Sequence, residues 1–241
     1  MSIVSKSPSV AINHALSITS QVCDYLKMKV VRNSLLPGAK ITETVLSQQL
    51  KISQTPLRAA LQKVASESLF QTRRQVGSII AKWNNAQLLE AVLIRAVLEI
   101  EVVRRLAETK PNLTPLEPVL AVQKRAVELD NYATFFGQDE VFHAKTAHIA
   151  EMPTTWKLAM SIKGHVDRQR YTIMSKFPKR LQQAFEGHIK IIEEIRSGSP
   201  SSAARAMRDH VHSVLELGLQ DHETDLPTEF GQTKKPLGGK S

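Results

Sequence analysis

Residues 36–81, LPGAKITETVLSQQLKISQTPLRAALQKVASESLFQTRRQVGSIIA, decide the fold of the N-terminal part of the chain. The pattern predicts, in order, a Pro37-Gly38 turn, a short helix over Thr42–Leu50, a break over Lys51–Ser53, a second helix over Gln54–Glu67 and two short strands around Gly77. Ser53 suits the N-cap of the second helix, and Pro56 falls in its first turn, where a missing N–H costs little. This order is typical of a winged helix-turn-helix.

The second helix is predicted to be amphipathic. Its apolar residues recur at i, i+4 and i+7 and predict one buried stripe: Leu57, Leu61 and Val64. Long polar side chains occupy another face: Gln54, Arg58 and Gln62. In a helix-turn-helix the second helix lies in the major groove, and Gln and Arg pair with adenine and guanine edges. The stretch therefore predicts DNA binding.

Basic residues are concentrated in the same part of the chain. Arg73-Arg74-Gln75 would form a basic hairpin tip suited to phosphate or minor-groove contact. Residues 1–83 contain 11 basic and 3 acidic residues, a net charge of +8, whereas the rest of the chain carries +1. A concentrated positive field favours a polyanionic partner. The alternative is a small helical domain whose polar face binds no nucleic acid.

Length and composition predict the domain organisation. A chain of 241 residues suits two modest domains. We expect a disordered N-terminus over 1–11, a winged helix-turn-helix over 12–82, an all-helical domain over 83–222 and a disordered tail over 223–241. The chain has no run of about 18 apolar residues, so we expect no membrane span. It also has no long apolar segment near its N-terminus, so we expect no signal peptide. Cys23 is the single cysteine, which suits a buried thiol in a reducing cytoplasm.

Helical periodicity dominates after Trp83, and prolines and a glycine separate the helices. The predicted helices are Gln87–Thr109, Pro118–Leu129, Tyr132–Ala150, Thr155–Ser175, Lys179–Arg196 and Ser201–Gln220, preceded by an N-terminal helix over Ile12–Asn33. Long helices with short connections predict an antiparallel bundle. The fold class is therefore mainly α, with one small β-hairpin.

Four residues of the predicted bundle form a candidate metal site. Asp139 and His143 are spaced i, i+4 and share a helix face. His188 and His210 lie eleven residues before and after Ser199, so an antiparallel helix pair would place them at similar depth. One Asp with three His suits Zn²⁺ first, with Ni²⁺, Mn²⁺ or Fe²⁺ also possible. The alternative is that these histidines lie separately on polar helix faces and hold no metal. The chain has eight histidines, so histidines without a ligand role are expected.

The competing class of protein is a metal-dependent enzyme. Glu140 and His143 form Glu-x-x-His, but di-iron bundles need a second such motif and the chain has none. The chain also lacks a P-loop, G-x-G-x-x-G, a nucleophile elbow and H-E-x-x-H. A metal-dependent helical-bundle enzyme with a basic appendage would turn over substrate without DNA. A non-specific architectural DNA binder would bind any duplex equally.

The motifs together resemble a known family. LLPGAKITETVLSQQLKISQTPLRAALQKVASESLFQTRRQVGSII is similar to the N-terminal domain of the GntR family of bacterial transcription regulators. LLEAVLIRAVLEIEVVRRLAE, DEVFH, GHIKIIEEIRSG and AARAMRDH resemble the FCD effector domain of its FadR subfamily. The resemblance spans roughly residues 12–220 and implies a homodimer that binds a pseudo-palindromic operator, with a small organic acid as effector.

The resemblance also implies roles for individual residues. DEVFH matches the family's D-x-x-F-H motif, so Asp139, His143, His188 and His210 become the expected metal ligands. Arg95 matches an arginine that faces the effector carboxylate, and Arg170 is a weaker candidate. Arg95 could equally pair with Glu99 at i+4. The expected DNA contacts are Thr44, Ser53, Gln54, Thr55, Arg58, Arg73, Arg74 and Gly77.

The chain departs from the family at one DNA-contacting position. The family has S-R-T-P-x-R where this chain has Ser53-Gln54-Thr55-Pro56-Leu57-Arg58. Replacing Arg with Gln removes a guanine-binding fork and offers an adenine-type pairing. We therefore expect an altered operator preference with DNA binding retained. The complete prediction is a dimeric, metal-containing, ligand-responsive repressor without enzymatic activity.

Overall fold

The computed structural model describes residues 12–32, 34–66, 69–73, 77–82, 84–176 and 179–215. The predicted disordered ends over 1–11 and 223–241, and Arg74, lie outside these residues. The N-terminal region contains α1 (Ile18–Val31), β1 (Lys40–Ile41), α2 (Glu43–Leu50), α3 (Gln54–Ser66), β2 (Phe70–Arg73) and β3 (Gly77–Ile80). This is the predicted winged helix-turn-helix with one additional short strand.

The helix-turn-helix forms because the apolar stripe of α3 is buried. Leu57, Leu61 and Val64 are all buried against α1 and α2, as their spacing predicts. Between the helices, Lys51 adopts the left-handed conformation at φ 54°, and its N–H donates to the Gln48 carbonyl. The sharp turn at Lys51 sets the angle at which α3 leaves α2.

The sheet has three antiparallel strands in the order β1-β3-β2. The β2–β3 hairpin was predicted, whereas β1 was not, because two residues carry no readable alternation. The Pro37-Gly38 turn precedes β1: the Ala39 N–H donates to the Leu36 carbonyl at 3.1 Å, and Gly38 has φ +76°. A positive φ at the third residue of a turn favours glycine, so the prediction of a turn here is confirmed.

The C-terminal region is an antiparallel helical bundle. Its helices are α4 (Asn85–Thr109), α5 (Glu117–Glu128), α6 (Tyr132–Ile149), α7 (Pro153–Ile162), α8 (Gly164–Lys176), α9 (Arg180–Ser197) and α10 (Pro200–His212), with a short 3-10 turn at Thr114–Leu116. The long helix α4 packs against α10 and α9 around an aliphatic core. None of the helices within the described ranges is long and apolar enough to cross a membrane.

Three predicted helices were wrong in extent. The N-terminal helix expected over Ile12–Asn33 is shorter, because α1 covers only Ile18–Val31. The single helix expected over Thr155–Ser175 is two helices, α7 and α8, which meet at Lys163. There the backbone approaches the N-terminal domain so closely that a Cβ on Gly164 would lie 2.7 Å from Leu69 Cγ. The helix expected over Ser201–Gln220 ends at His212 as α10, and residues 216–220 lie outside the described part of the chain.

Helix α8 connects the two domains. It packs against α1, and Gly164 at its start touches Leu69 of the N-terminal domain. Further along α8, the buried Arg168 Nη1 donates to the Ala81 carbonyl at 3.1 Å. The helix that contacts the N-terminal domain therefore also runs into the bundle, where it carries Arg170.

A candidate metal and effector site in the helical bundle

The four predicted metal ligands come together inside the bundle. Asp139 and His143 project from α6, His188 from α9 and His210 from α10, and one ligand atom from each lies within 4.8 Å of the others. The His188 and His210 rings are 4.5 Å apart between centroids, because α9 and α10 are antiparallel neighbours across the Ser199 turn. We call these four residues the metal-ligand cluster.

His188 is oriented by a glutamine that sequence reasoning missed. His188 Nδ1 lies 2.8 Å from the buried Gln123 Oε1. Gln123 Nε2 is occupied in donating to the Gln138 carbonyl, so Oε1 must accept and Nδ1 must carry the proton. The lone pair is thereby left on His188 Nε2, which has no hydrogen-bond partner and lies 3.4 Å from Asp139 Oδ1. An outer-shell partner of this kind is what metal-ligating histidines ordinarily have.

His143 is held by a carboxylate on α4. Its Nδ1 lies 2.6 Å from Glu99 Oε2, a close contact that does not have the geometry of a well-aligned hydrogen bond. Its Nε2 is buried without a partner, 3.8 Å from Asp139 Oδ2. The Trp156 ring stacks on the imidazole at 5.6 Å between centroids. The sequence predicts Glu99 only as a partner of Arg95, because no residue spacing relates side chains of α4 to side chains of α6.

His210 depends on a glycine for its position. A Cβ on Gly187 of α9 would lie 2.7 Å from His210 Nδ1, so only glycine leaves room for this ring. His210 Nδ1 therefore packs against the α9 backbone at Gly187. The sequence shows Gly187 in the segment GHIKI. Its role beside His210 becomes evident only when α10 is placed against α9.

Burial and neighbouring charges set the protonation states. Burial lowers the pKa of His188 to about 4, and burial together with the neighbouring histidines lowers the pKa of His210 well below its usual range. Burial alone would raise the pKa of Asp139, but the Arg170 guanidinium, together with His188 and His143, outweighs burial and holds the pKa well below its usual range. The neutral imidazoles of His188 and His210, the Asp139 carboxylate and the unsatisfied Nε2 atoms of His143 and His188 fit a divalent cation such as Zn²⁺.

A cavity of about 180 Å³ opens beside the cluster. His210 contributes to its wall together with cationic side chains from α4, α8 and α9: Arg95, Arg170, Arg180 and Lys190. Apolar residues complete part of the lining: Ala184, Ala206, Val211 and Val214. The volume is below the roughly 300–1,000 Å³ of pockets for drug-sized ligands, so the cavity suits a small metabolite.

Arg95 combines the two roles that the sequence left open. Its Nε donates to Glu99 Oε1 at 2.5 Å, which is the expected i, i+4 pair. Its Nη2, in a residue only 2% exposed, has no hydrogen-bond partner, and the side chain lines the cavity. An unpartnered buried guanidinium N–H costs free energy unless a ligand or water accepts it. Burial alone would raise the pKa of Glu99, but Arg95 and His143 lower it to about 2, so Glu99 stays charged.

Arg170 is also at the site, but it contacts the cluster directly. Its Nη1 and Nη2 donate to Asp139 Oδ2 and Oδ1 at 2.7 and 2.5 Å. Glu140, by contrast, points away from the cluster and pairs with Lys163, which also bridges to Asp167. The Glu-x-x-His motif therefore does not place Glu140 among the candidate ligands.

The polar face of the recognition helix α3 is exposed. Gln54, Thr55 and Arg58 lie on the surface, as do Ser53 and Thr44 nearby. Arg58 Nε donates to Glu43 Oε2 at 2.7 Å, and its Nη2 donates to Gln54 Oε1 at 3.1 Å. Arg73 ends β2 and Gly77 begins β3, so both flank the hairpin tip. Arg74 lies outside the described residues.

A winged helix-turn-helix joined to a helical bundle with an internal ligand cavity defines a DNA-binding regulator. Residues 18–80 match the bacterial regulatory proteins of the gntR family, and residues 88–213 match the FCD domain. The chain belongs to the GntR family of transcription regulators, in its FadR-like subfamily. The family and the relatives are transcription regulators and not enzymes, as predicted.

Named relatives share this organisation. The chain is 28% identical over 207 residues to the HTH-type transcriptional repressor RspR of Escherichia coli K12, covering 85% of this chain and 90% of the relative. It is 27% identical over 201 residues to the "Probable D-xylose utilization operon transcriptional repressor" of Paenarthrobacter nicotinovorans, covering 83% and 88%. The solved structure of E. coli McbR/YncC has the same fold, with a TM-score of 0.72 and 21% identity over 86% of this chain and 99% of that one.

Proposed function

We propose that this protein is a homodimeric, cytoplasmic repressor that binds a palindromic operator and is controlled by a small carboxylate bound beside a divalent metal ion. The observation that carries the proposal is the juxtaposition of the metal-ligand cluster with Arg95. The Arg95 Nη2 group is buried and has no hydrogen-bond partner among the described residues, and the Arg95 side chain lines the cavity that His210 also lines. A carboxylate there would satisfy a guanidinium donor and lie next to the cation.

The metal would be held by Asp139 and the Nε2 atoms of His143, His188 and His210. When bound, it would supply a positive charge and an open coordination position for a carboxylate oxygen. Gln123 and Glu99 would keep two of the imidazoles in the ligating orientation. Arg95 and Arg170 would provide the remaining contacts that recognise the carboxylate.

DNA binding is assigned to the exposed face of α3 and to the hairpin tip. Gln54, Thr55 and Arg58 would meet base edges, while Thr44, Ser53, Arg73, Arg74 and Gly77 would contact or approach the phosphate backbone. The concentration of positive charge in residues 1–83 supports this assignment. Operator binding should weaken steeply as the salt concentration rises.

A homodimer is supported by an exposed apolar stripe on α4. Leu89, Leu93 and Val97 follow each other at i+4, and Leu93 and Val97 are 58% and 60% exposed. Three large aliphatic side chains on one exposed helix face favour burial against another protein surface. A second copy of the chain is the occupant that a two-fold-symmetric operator requires.

Effector binding would reach the DNA-binding domain through α8. This helix carries Arg170 at the cavity and Arg168 at the Ala81 carbonyl. A ligand that binds one arrangement of α8 better than another would shift the relative placement of the two DNA-binding domains. A coupling of about 1–3 kcal/mol would change operator affinity roughly 5–150-fold.

The test begins with protein purified without a metal-chelating tag. We expect about one divalent metal ion per chain, lost in His143→Ala and retained in His148→Ala, which changes an exposed histidine of the same helix. A panel of small carboxylates is then screened for a rise in melting temperature. Each hit is added to an operator-binding titration. A metal-free protein with no hit, or operator affinity that no hit changes, would refute the proposal.

A further inference from the structure

We propose that a second ligand site lies at the junction of the two domains, and that it binds a small primary amine whose ammonium group meets Asp167. The site is a cavity of about 190 Å³ between α1 of the N-terminal domain and α6, α7 and α8 of the bundle. We call it the junction cavity. None of the described residues lines both the junction cavity and the cavity beside the metal-ligand cluster. An amine here would be a ligand separate from the proposed carboxylate effector.

Two carboxylates at the junction cavity share one buried ammonium group. Lys163 is 3% exposed, and its Nζ donates to Glu140 Oε1 at 2.5 Å and to Asp167 Oδ2. One positive charge therefore faces two negative charges. Asp24 on α1 adds a third carboxylate to the lining, and it makes no ion pair with any residue in the described part of the chain. Even with Lys27 counted as a full positive charge, the lining has three carboxylates and two ammonium groups, and hence an excess of negative charge.

Asp167 has a carboxylate oxygen that the surrounding protein does not satisfy. The residue is 6% exposed and lines the junction cavity, and its Oδ1 has no hydrogen-bond partner among the described residues. A buried oxygen without a donor costs free energy that a ligand N–H would recover. Burial raises the pKa of Asp167, Lys163 opposes the rise, and Glu140 adds to it. The positive charge around this carboxyl group therefore does not offset its burial, and a bound ammonium group would supply more.

The rest of the lining suits the apolar body of a small amine. Aliphatic, thioether and aromatic side chains from both domains contribute to it: Met28, Val31, Leu69, Phe136 and Met160. A water molecule takes about 30 Å³ of liquid, so the cavity has room for about six waters or for a ligand of similar size. An ammonium group joined to a short hydrocarbon matches both parts of the lining. An inorganic cation would match the carboxylates but would leave the apolar surface in contact with water.

The position of the junction cavity connects it with DNA binding. Asp24, Met28 and Val31 belong to α1, which packs against the recognition helix α3 and against α8. Asp167 belongs to α8. A ligand in the junction cavity contacts both domains, so it would favour the arrangement of the domains that it fits best. Operator DNA would change the affinity for the amine by the same factor as the amine changes the affinity for the operator.

The experiment titrates zinc-supplemented full-length protein with pairs of molecules of matched shape. Benzylamine and butylamine are compared by calorimetry with benzyl alcohol and 1-butanol. We expect at least one amine to bind about tenfold or more tightly than its alcohol, because an ammonium–carboxylate hydrogen bond is charge-assisted. The ratio should fall towards one in Asp167→Asn, which keeps the shape of the side chain and removes its charge. It should also fall in Asp24→Asn, which alters an exposed side chain and so reports on the site even if Asp167→Asn loses its fold.

Asp209→Asn is the matched control, since Asp209 is an exposed carboxylate that lines the cavity beside the metal-ligand cluster and not the junction cavity. It should preserve the full ratio. No binding of either amine, equal affinity for both members of each pair, or a ratio that falls only in Asp209→Asn would overturn the amine site. None of these results would affect the proposed carboxylate effector. An operator affinity that saturating amine leaves unchanged would overturn the connection between the junction cavity and DNA binding.

Discussion

Arg170 and Asp139 form a buried bidentate ion pair in which Arg170 Nη1 and Nη2 donate to different carboxylate oxygens of Asp139. Asp139 is also the single carboxylate of the metal-ligand cluster. Arg170 and a divalent cation would therefore compete for the same two oxygen atoms of Asp139. The pair joins α8, which contacts the DNA-binding domain, to α6, which supplies two of the four candidate ligands.

Replacing Arg170 with Gln should make the protein depend on metal for stability. In the presence of EDTA, removing one partner of a buried pair costs about 3–5 kcal/mol, and the melting temperature should fall by about ten degrees. Zinc should restore most of this loss, because it supplies the missing positive charge at Asp139. The zinc affinity of the variant, measured by chelator competition, should rise about tenfold.

A decrease in zinc affinity instead of an increase would assign Arg170 a different role. If Arg170→Gln binds zinc more weakly than the wild-type protein, the guanidinium positions Asp139 for the metal instead of competing with it. Arg168→Gln serves as the comparison on the same helix, since Arg168 donates to the Ala81 carbonyl. That variant should leave zinc affinity unchanged.

Gly187→Ala should weaken metal binding. The new Cβ would lie 2.7 Å from His210 Nδ1, so the imidazole must move away from the cluster. We expect a loss of about 10–100-fold in zinc affinity by chelator competition, comparable to losing an outer-shell partner. Gly137→Ala on α6 is the control, because a Cβ there meets nothing within 4 Å. It should keep zinc affinity and gain about 0.5–1 kcal/mol of stability from helix propensity.

The free energy of unfolding should decrease below pH 6.5 when EDTA is present. Burial lowers the pKa of His188 from 6.5 to about 4, so the unfolded chain binds a proton in this window that the folded chain does not. Its contribution is fully present above pH 6.5 and is lost as the pH falls towards 4, on the order of 3 kcal/mol. Urea titrations from pH 7.5 to 4 measure it.

His188→Gln should reduce the slope of stability against pH in that range, while the exposed His148→Gln should retain it. An identical slope in the wild-type protein and in His188→Gln would show that other groups control the acid response.

Val97→Glu should disrupt the proposed dimer. Val97 is 60% exposed within one chain, so a charge there is harmless unless a second copy covers α4. Sedimentation equilibrium should show a dimer for the wild-type protein and monomer for the variant, with unchanged helical content. Val122→Glu, on an exposed face of α5, should remain dimeric. A Val97→Glu dimer of wild-type affinity would place the interface elsewhere.

Gln54→Arg should change which operator the protein selects. Gln54 is exposed on α3 and accepts a hydrogen bond from Arg58. An arginine there would restore a guanine-binding fork, worth about 1–3 kcal/mol of discrimination at one base pair. Selection from randomised DNA should return guanine at that position for the variant and adenine for the wild-type protein. Guanine for both would contradict the expected departure from the family.

Local sequence determined the elements whose signals lie within a few residues. The spacing of Leu57, Leu61 and Val64 predicted the buried face of α3, and the glycine of Pro37-Gly38 predicted the turn before the sheet. Asp139 and His143 could be paired because i, i+4 residues share a face on any helix. His188 and His210 could be paired because a short turn between two helices imposes antiparallel neighbours.

Tertiary structure decided what depends on contacts between distant segments. The break between α7 and α8 was not predicted, and it lies where Gly164 approaches Leu69, almost a hundred residues earlier in the chain. Gln123 and Glu99 became part of the site only when α5 and α4 packed against α9 and α6. The motifs of this chain thus identified its family by resemblance, and its helical periodicity predicted the domains and the candidate metal-ligand set. Packing alone decided how those ligands are oriented and which cations line the cavity, since no local rule relates side chains on helices that are not neighbours in sequence.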